Sequence, residues 1–248
     1  VGSGYQGSHR PSRRAHIPMG LTVACADYDR TRPIIDGRVR IEGSDASVHC
    51  LVHEDMFVRA LTAAEFDATE LSFSRFAIGV ANSAFPYIGI PVFPSRIFRH
   101  SAIYVRTDRG IREPGDLKGK CIGVRDYANT ASLVARGMLE DEYQLSAREV
   151  RWIVGDIDHR ERAEIRLPRL APGFDVRVAP AAQLLSDMLG DGELDGLIDF
   201  QPPRCFAEGH AAVGRLFPDH ERAERDYFAR SRIFPIMHVL VLRREIAE

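Results

Sequence analysis

Pro91-Val92-Phe93-Pro94-Ser95-Arg96-Ile97-Phe98-Arg99-His100-Ser101-Ala102-Ile103-Tyr104-Val105 is the stretch on which the fold turns. Tyr87 to Phe93 and Ala102 to Val105 read as buried strands. Between them stand two arginines and a histidine, the side chains that bind carboxylates and move protons. Cationic groups set between apolar runs are costly to leave unpaired. A solvated edge strand would account for one arginine. Three such groups within Arg96 to His100 point instead to a ligand-facing crossing between two lobes.

Upstream, Leu21 to Ala26 reads as a buried strand ending in the polar loop Asp27-Tyr28-Asp29-Arg30-Thr31, and Ala46 to Val52 as a second strand. His49-Cys50-x-x-His53 resembles metal-ligand spacing, but on one strand the two histidines would stand roughly 13 Å apart, with Cys50 on the opposite face. From Glu54 the spacing of Met56, Phe57, Ala60, Leu61 and Ala64 predicts a helix. Phe66 to Leu71 reads as a strand running into Ser72-Phe73-Ser74, where a hydroxyl can cap a helix with Phe73, Phe76, Ala77, Val80, Ala81 and Ala84 inward. Glu70 and Ser72 are thereby placed at a strand's carboxyl end, facing a helix start.

Downstream, Cys121 to Val124 is a compact strand followed by a helix opening at Asn129-Thr130, whose free N–H groups suit an anion. Val150 to Val154 and Phe174 to Val178 read as strands, and the charged stretch from Gly155 to Ala171 as a solvated loop over the site. A helix around Leu184 to Leu189 stops at Gly190-Asp191-Gly192, and the strand Leu194 to Phe200 places Asp199 at its end. Asp219 to Arg230 reads as a charged helix, and Ile233 to Leu242 as a long strand holding His238. Two β and α series joined twice define two α/β lobes with a ligand cleft between them. Residues 19–98 with 232–248 are expected to form lobe 1, 103–205 lobe 2, and 206–231 the return connection. Residues 1–18 are expected to be a flexible leader or tag, with Met19 as the natural start and further C-terminal helices lacking after Glu248.

Of 248 residues, 33 are basic and 35 acidic, giving a net charge of -2, so no global field draws the chain to nucleic acid or an anionic membrane. No apolar run reaches the ~18 residues of a membrane span. Cys25, Cys50, Cys121 and Cys205 show no C-x-x-C pair, which fits reduced thiols and a cytoplasmic setting. No cluster of His, Cys and carboxylate has usable metal spacing. No metal or cofactor is expected, and the oligomeric state is open, a homo-oligomer included.

Tyr28-Asp29-Arg30-Thr31, Pro91 to His100, Asp116-Leu117-Lys118-Gly119-Lys120, Leu185-Ser186-Asp187-Met188-Leu189, Arg215-Leu216-Phe217-Pro218-Asp219 and Ile233 to His238, in that order, resemble the 4,5-dihydroxyphthalate decarboxylase family. The resemblance implies a type II periplasmic-binding-protein-like α/β fold turned to catalysis. The expected reaction is non-oxidative loss of CO2 from a hydroxylated phthalate, giving 3,4-dihydroxybenzoate. Ser231-Arg232 departs from a Thr-Gly-like turn, and the Asp156 to Glu164 loop is less similar than its flanks. The rival reading is a non-catalytic solute-binding protein for a small aromatic carboxylate.

A phthalate with hydroxyls para to its carboxylates is its own electron sink, so the protein need supply only a carboxylate clamp, a proton donor and groups that polarise the phenol. Arg96 and Arg99 are the expected clamp, with Arg30 as a third choice. His100 and His238 are the expected acid and base, brought together by the two crossing strands. Glu70, Ser72 and Ser74 at one helix start and Tyr127, Asn129 and Thr130 at another are expected polar contacts, with helix capping the alternative for the hydroxyls. Tyr28 is expected at the substrate, with closing a turn the alternative, and Asp199 and Arg204 are expected to contact substrate, with pairing to each other the alternative.

Overall fold

The computed structural model describes residues 19–82, 85–160, 165 and 167–247. The leader read at 1–18, Ala84 of the third helix, and residues 161–164 and 166 of the charged loop lie outside the described residues. The chain forms two compact units, one ending at Thr69 and one beginning at Glu70.

In the first unit, β1 (Met19–Cys25) is followed by the single turn α1 (Arg32–Ile35), β2 (Ser44–Cys50), α2 (His53–Ala63) and the start of β3 (Ala68–Ser72). β1 pairs in parallel with β2, Val23 opposite Val48, and with β3, Ala24 opposite Thr69. Met56 and Ala60, one helical turn apart, turn the apolar stripe of α2 into the core with Val23, Ala24 and Phe66. Asp67 accepts hydrogen bonds from the backbone N–H and hydroxyl of Thr22, at 2.8 and 2.9 Å, and so ties β3 to β1. The strand read to Val52 stops at Cys50, and His53 opens α2. The two histidines therefore do not share a strand: His49 lies near the Phe66 ring, at 6.2 Å, and His53 meets Tyr28.

In the second unit, β3 runs directly into α3 (Phe73–Ala81), as its Ser72-Phe73-Ser74 junction implies, and β4 (Tyr87–Arg96) follows. The inward face expected for α3 is corrected: Phe73, Ala77 and Val80 are exposed, and Ser74 is the buried residue. Hydrogen bonds at the helix start, described below, outweigh the apolar stripe in placing this short helix.

The remaining elements are β5 (Ile103–Arg106), β6 (Cys121–Val124), α4 (Thr130–Tyr143), β7 (Arg151–Val154), β8 (Asp175–Val178), α5 (Leu185–Asp191) and β9 (Gly196–Ile198). After them come α6 (Arg204–Ala207), β10 (Val213–Arg215), α7 (His220–Ser231), β11 (Ile236–Arg243) and α8 (Arg244–Ala247). Six strands form one sheet in the order β10-β5-β9-β6-β7-β8. β9, β6, β7 and β8 are parallel, while β5 runs antiparallel to β9 on one side and to the edge strand β10 on the other. One face packs Ile122, Val124, Met138, Leu139, Trp152 and Tyr227, and the other Tyr104, Leu185, Leu189, Leu194 and Leu197. A Cβ on Gly196 would come within 2.9 Å of the Tyr104 carbonyl oxygen, so the close approach of β9 to β5 requires glycine there.

The stretch read as a return connection thus supplies an edge strand and a packed helix. β11 then pairs antiparallel with β4, but irregularly: His238 lies opposite Ser95 and Leu240 opposite Ile90. Between His238 and Leu240 the surplus lies in β4 and includes Pro91 and Pro94, which cannot donate ladder hydrogen bonds, while between Ile236 and His238 the extra residue is Met237 of β11, so the ladder shifts register on both sides of His238. All four cysteines are free, and among the described residues no helix is long and apolar enough to cross a membrane.

Candidate functional site

Two parallel strands define the floor of the site. Val124 of β6 lies opposite Ile198 of β9, so the next residues, Arg125 and Asp199, emerge side by side at the carboxyl edge where open α/β sheets bind ligands. They form a buried two-point pair, Arg125 Nε to Asp199 Oδ1 at 3.2 Å and Nη2 to Oδ2 at 3.1 Å. Burial raises the Asp199 pKa, against the opposing pull of the Arg125 hydrogen bond and charge.

Arg99 stands beside this pair. It is only 8% exposed, and burial pushes its pKa down to about 10, with the Asp199 and Glu224 charges acting in the other direction. Among the described residues its side chain makes one hydrogen bond, from Nε to Met237 Sδ, at 3.2 Å. A thioether is a weak acceptor. The two terminal nitrogens of the guanidinium engage no carboxylate. A buried Arg normally has one, because an unneutralised charge in a low-dielectric site is costly.

The residue after Met237 is His238. It lies between the two register shifts of the ladder, with His238 Nδ1 and Glu70 Oε1 2.5 Å apart. Glu70 is fully buried, and the His238 side chain is 17% exposed. A carboxylate at one ring nitrogen fixes the tautomer and the orientation of the ring. Glu70 and His238 are also metal-ligand types, and here one donor atom of each binds the other.

Hydroxyls join the starts of α3 and α4. Thr130 Oγ1 lies 2.9 Å from Ser72 Oγ and accepts from the Ser74 backbone N–H at 3.0 Å, while Ser74 Oγ donates to the Ala128 carbonyl at 2.6 Å. Arg75 and Asp126 form an ion pair alongside. Asn129 caps α4, its Oδ1 accepting from the Ser132 N–H at 2.7 Å. Among these residues Asn129 alone caps a helix with its side chain; Ser72, at the N-cap of α3, makes no side-chain cap hydrogen bond, and the three hydroxyls cross-link the two helix starts where capping was the alternative expected.

The other expected residues are dispersed. Ring contacts place His100 against Phe217 and Tyr227, at 5.0 and 5.4 Å, with neither ring nitrogen hydrogen-bonded. Burial lowers its pKa to about 4. It sits in a 3-10 turn, and its contacts are not those of the Glu70–His238 pair. Tyr127 belongs to the core, its ring under the Arg136 guanidinium and against Trp152. Arg96 is exposed and donates to the Phe234 carbonyl. Arg204 and Asp199 do not pair with each other, a correction: Arg204 pairs with Asp187, and Arg125 takes Asp199. In the first unit, Tyr28 Oη and His53 Nε2 are 2.6 Å apart, and the Arg30 guanidinium lies 3.8 Å from the Tyr28 ring centre. The charged loop also differs from a wholly solvated one, since Asp156 and Ile157 at its start are buried. Sequence reading missed Arg125 and Met237. Arg125 carried a signal, being the charged residue that ends a short apolar strand just as Asp199 does.

Solved structures resemble the fold. The periplasmic aliphatic sulphonate binding protein SsuA from Escherichia coli superposes with a TM-score of 0.55 at 13% identity, over 93% of this chain and 67% of that one. The alkanesulfonate-binding protein SsuA from Xanthomonas axonopodis pv. citri, bound to MOPS, gives 0.53 at 13% identity over the same shares. The class is therefore the α/β, type II periplasmic-binding-protein-like fold. No family model matches the chain. The 4,5-dihydroxyphthalate decarboxylase of Comamonas testosteroni is 43% identical over 230 residues, 93% of this chain and 70% of that protein. The enzyme of the same name from Pseudomonas putida is 41% identical over 210 residues, 85% of this chain and 81% of that protein. The chain belongs to the 4,5-dihydroxyphthalate decarboxylase family, a family of carboxy-lyases.

Proposed function

We propose that the chain converts 4,5-dihydroxyphthalate to 3,4-dihydroxybenzoate and CO2 by protonating the ring. The observation that carries this reading is Arg99, a buried guanidinium whose terminal donors engage no carboxylate of the protein. It is suited to a carboxylate guest, with the Arg125–Asp199 pair fixing the field around it. His238, oriented by Glu70, is the proton-transfer group. Charge pushed from a phenolate oxygen para to one carboxylate lets the ring carbon bearing that carboxylate take a proton. The carbon–carbon bond then breaks, CO2 departs, and the bonding pair restores the aromatic ring. Of the two histidines first considered, proton transfer falls to His238, since His100 is held neutral among aromatic rings. No cofactor is part of this scheme. The lobes at 19–98 with 232–248 and at 103–205 remain part of the proposal, hinged at the two crossings.

Incubating the protein with 4,5-dihydroxyphthalate should release CO2 and 3,4-dihydroxybenzoate in equal amounts. Binding without turnover would favour a carboxylate-binding module instead. Dialysis against a chelator should leave the rate unchanged. A loss restored by a divalent ion would remove the cofactor-free scheme.

A further inference from the structure

We infer that the buried site is charge-matched to one carboxylate, gripped end-on by Arg99, and that this is the carboxylate the reaction retains. The inference rests on the decarboxylase reading above. At the carboxyl edge of β6 and β9, Arg125 is bonded to Asp199 and Arg75 to Asp126, so both guanidinium charges are already balanced. Arg99 differs: its Nε points at Met237 Sδ, which leaves the paired terminal nitrogens as the fork that a planar carboxylate meets with two parallel hydrogen bonds. Arg136 is buried as well, but it is stacked on the Tyr127 ring in the core and donates to the Tyr127 carbonyl.

A phthalate brings two carboxylates to this single unbalanced cation. The two are related by the symmetry of the 4,5-dihydroxy ring, so only the protein can make them inequivalent. The departing carboxylate loses its negative charge as the carbon–carbon bond breaks and the bonding pair passes into the ring. A cation held on it would stabilise the starting state more than the transition state and slow the step. The same cation on the neighbouring carboxylate is neutral to the bond being broken and positions the ring. The carboxylate on Arg99 is therefore the spectator.

The product keeps that spectator. 3,4-Dihydroxybenzoate should occupy Arg99 through its sole carboxylate, in the orientation from which no cleavage occurs. It would thus compete with substrate and resist a second decarboxylation to catechol.

The test uses calorimetric titration of 3,4-dihydroxybenzoate and of catechol into wild type, Arg99→Met and Arg99→Lys, together with CO2 release from 4,5-dihydroxyphthalate and from 3,4-dihydroxybenzoate. Arg99→Met should weaken 3,4-dihydroxybenzoate by at least about tenfold, the scale of a lost charge-assisted hydrogen bond, with Arg99→Lys intermediate. Catechol, which has no carboxylate, should bind all three proteins alike. Wild type should release no CO2 from 3,4-dihydroxybenzoate. Equal affinity of all three proteins for 3,4-dihydroxybenzoate, or its conversion to catechol, would overturn the inference. Should Arg99→Met fail to fold, Arg99→Lys decides alone. Failure of wild type to release CO2 from 4,5-dihydroxyphthalate would instead remove the decarboxylase reading, and it is read separately from the binding series.

Discussion

His100 is 1% exposed, has no hydrogen-bond partner at either ring nitrogen, and titrates near 4 because burial disfavours the charged ring. Its surroundings include the Phe217 and Tyr227 rings, the Glu142 charge that pulls the pKa up, and the Arg230 and His220 charges that push it down. In an unfolded chain the group titrates at about 6.5. Between those two values the unfolded state holds a proton that the folded state does not, so stability is fully present above about 6.5 and falls as pH drops toward 4. His100→Phe should flatten this dependence, with a difference from wild type on the order of 1 kcal/mol per pH unit inside the window. The urea midpoint followed against pH measures it, and parallel curves for the two proteins would contradict it. At Glu70 the chemistry is positional. Glu70→Gln keeps the shape but offers the wrong partner to His238 Nδ1, so kcat should fall by about a hundredfold with KM little changed, and His238→Asn should fall at least as far. A proportional rise in KM with kcat intact would mean that the pair binds substrate and moves no proton.

Elements explain why the site sits where it does. Thr130 at the start of α4 meets Ser72 and Ser74 at the start of α3, and the Ser74 N–H has Thr130 Oγ1 as its acceptor. Thr130→Val removes that acceptor at nearly constant volume. The variant should lose about 1–3 kcal/mol of stability, the cost of a buried polar group left unsatisfied, and an unchanged urea midpoint would refute the link. The strands and helices behind this contact were legible because their apolar residues repeat at intervals of two or of three and four. Leu185 to Leu189 and Cys121 to Val124 form the elements their spacing predicts, to within a residue or two. The Asn129 cap was legible from residue type alone. Pairings between distant segments were not. Nothing local distinguishes Arg125 from Arg204 as the partner of Asp199; the register of β6 on β9 decides it. Nor does spacing show that the ladder shifts register on either side of His238, since that depends on where β11 lies against β4. Strand ends such as Cys50, after which His53 begins a helix whose start has no side-chain cap, are not encoded by a short apolar run.

At the scale of the whole molecule the electrostatics are close to balanced, with a net charge of -2 for a substrate that is itself a dianion. A field of that size gives no long-range attraction, so association should not depend on steering. On the proposed reading the carboxylate is drawn by Arg99, which is buried, and salt screens exposed charges far more than buried ones. Raising NaCl from about 0.05 to about 0.5 M shortens the screening length severalfold, yet kcat/KM for 4,5-dihydroxyphthalate should change by less than about threefold. An enzyme that gathered its substrate with surface arginines would lose tenfold or more over that range. Arg30 and Arg96, two of the clamp candidates read from the sequence, are exposed and would be the first to test for that part. A steep salt dependence abolished by Arg96→Gln or Arg30→Gln would move the capture of substrate from the buried site to the surface. A flat profile in wild type, with the loss confined to Arg99 variants, would leave the recognition of carboxylate to a single interior charge.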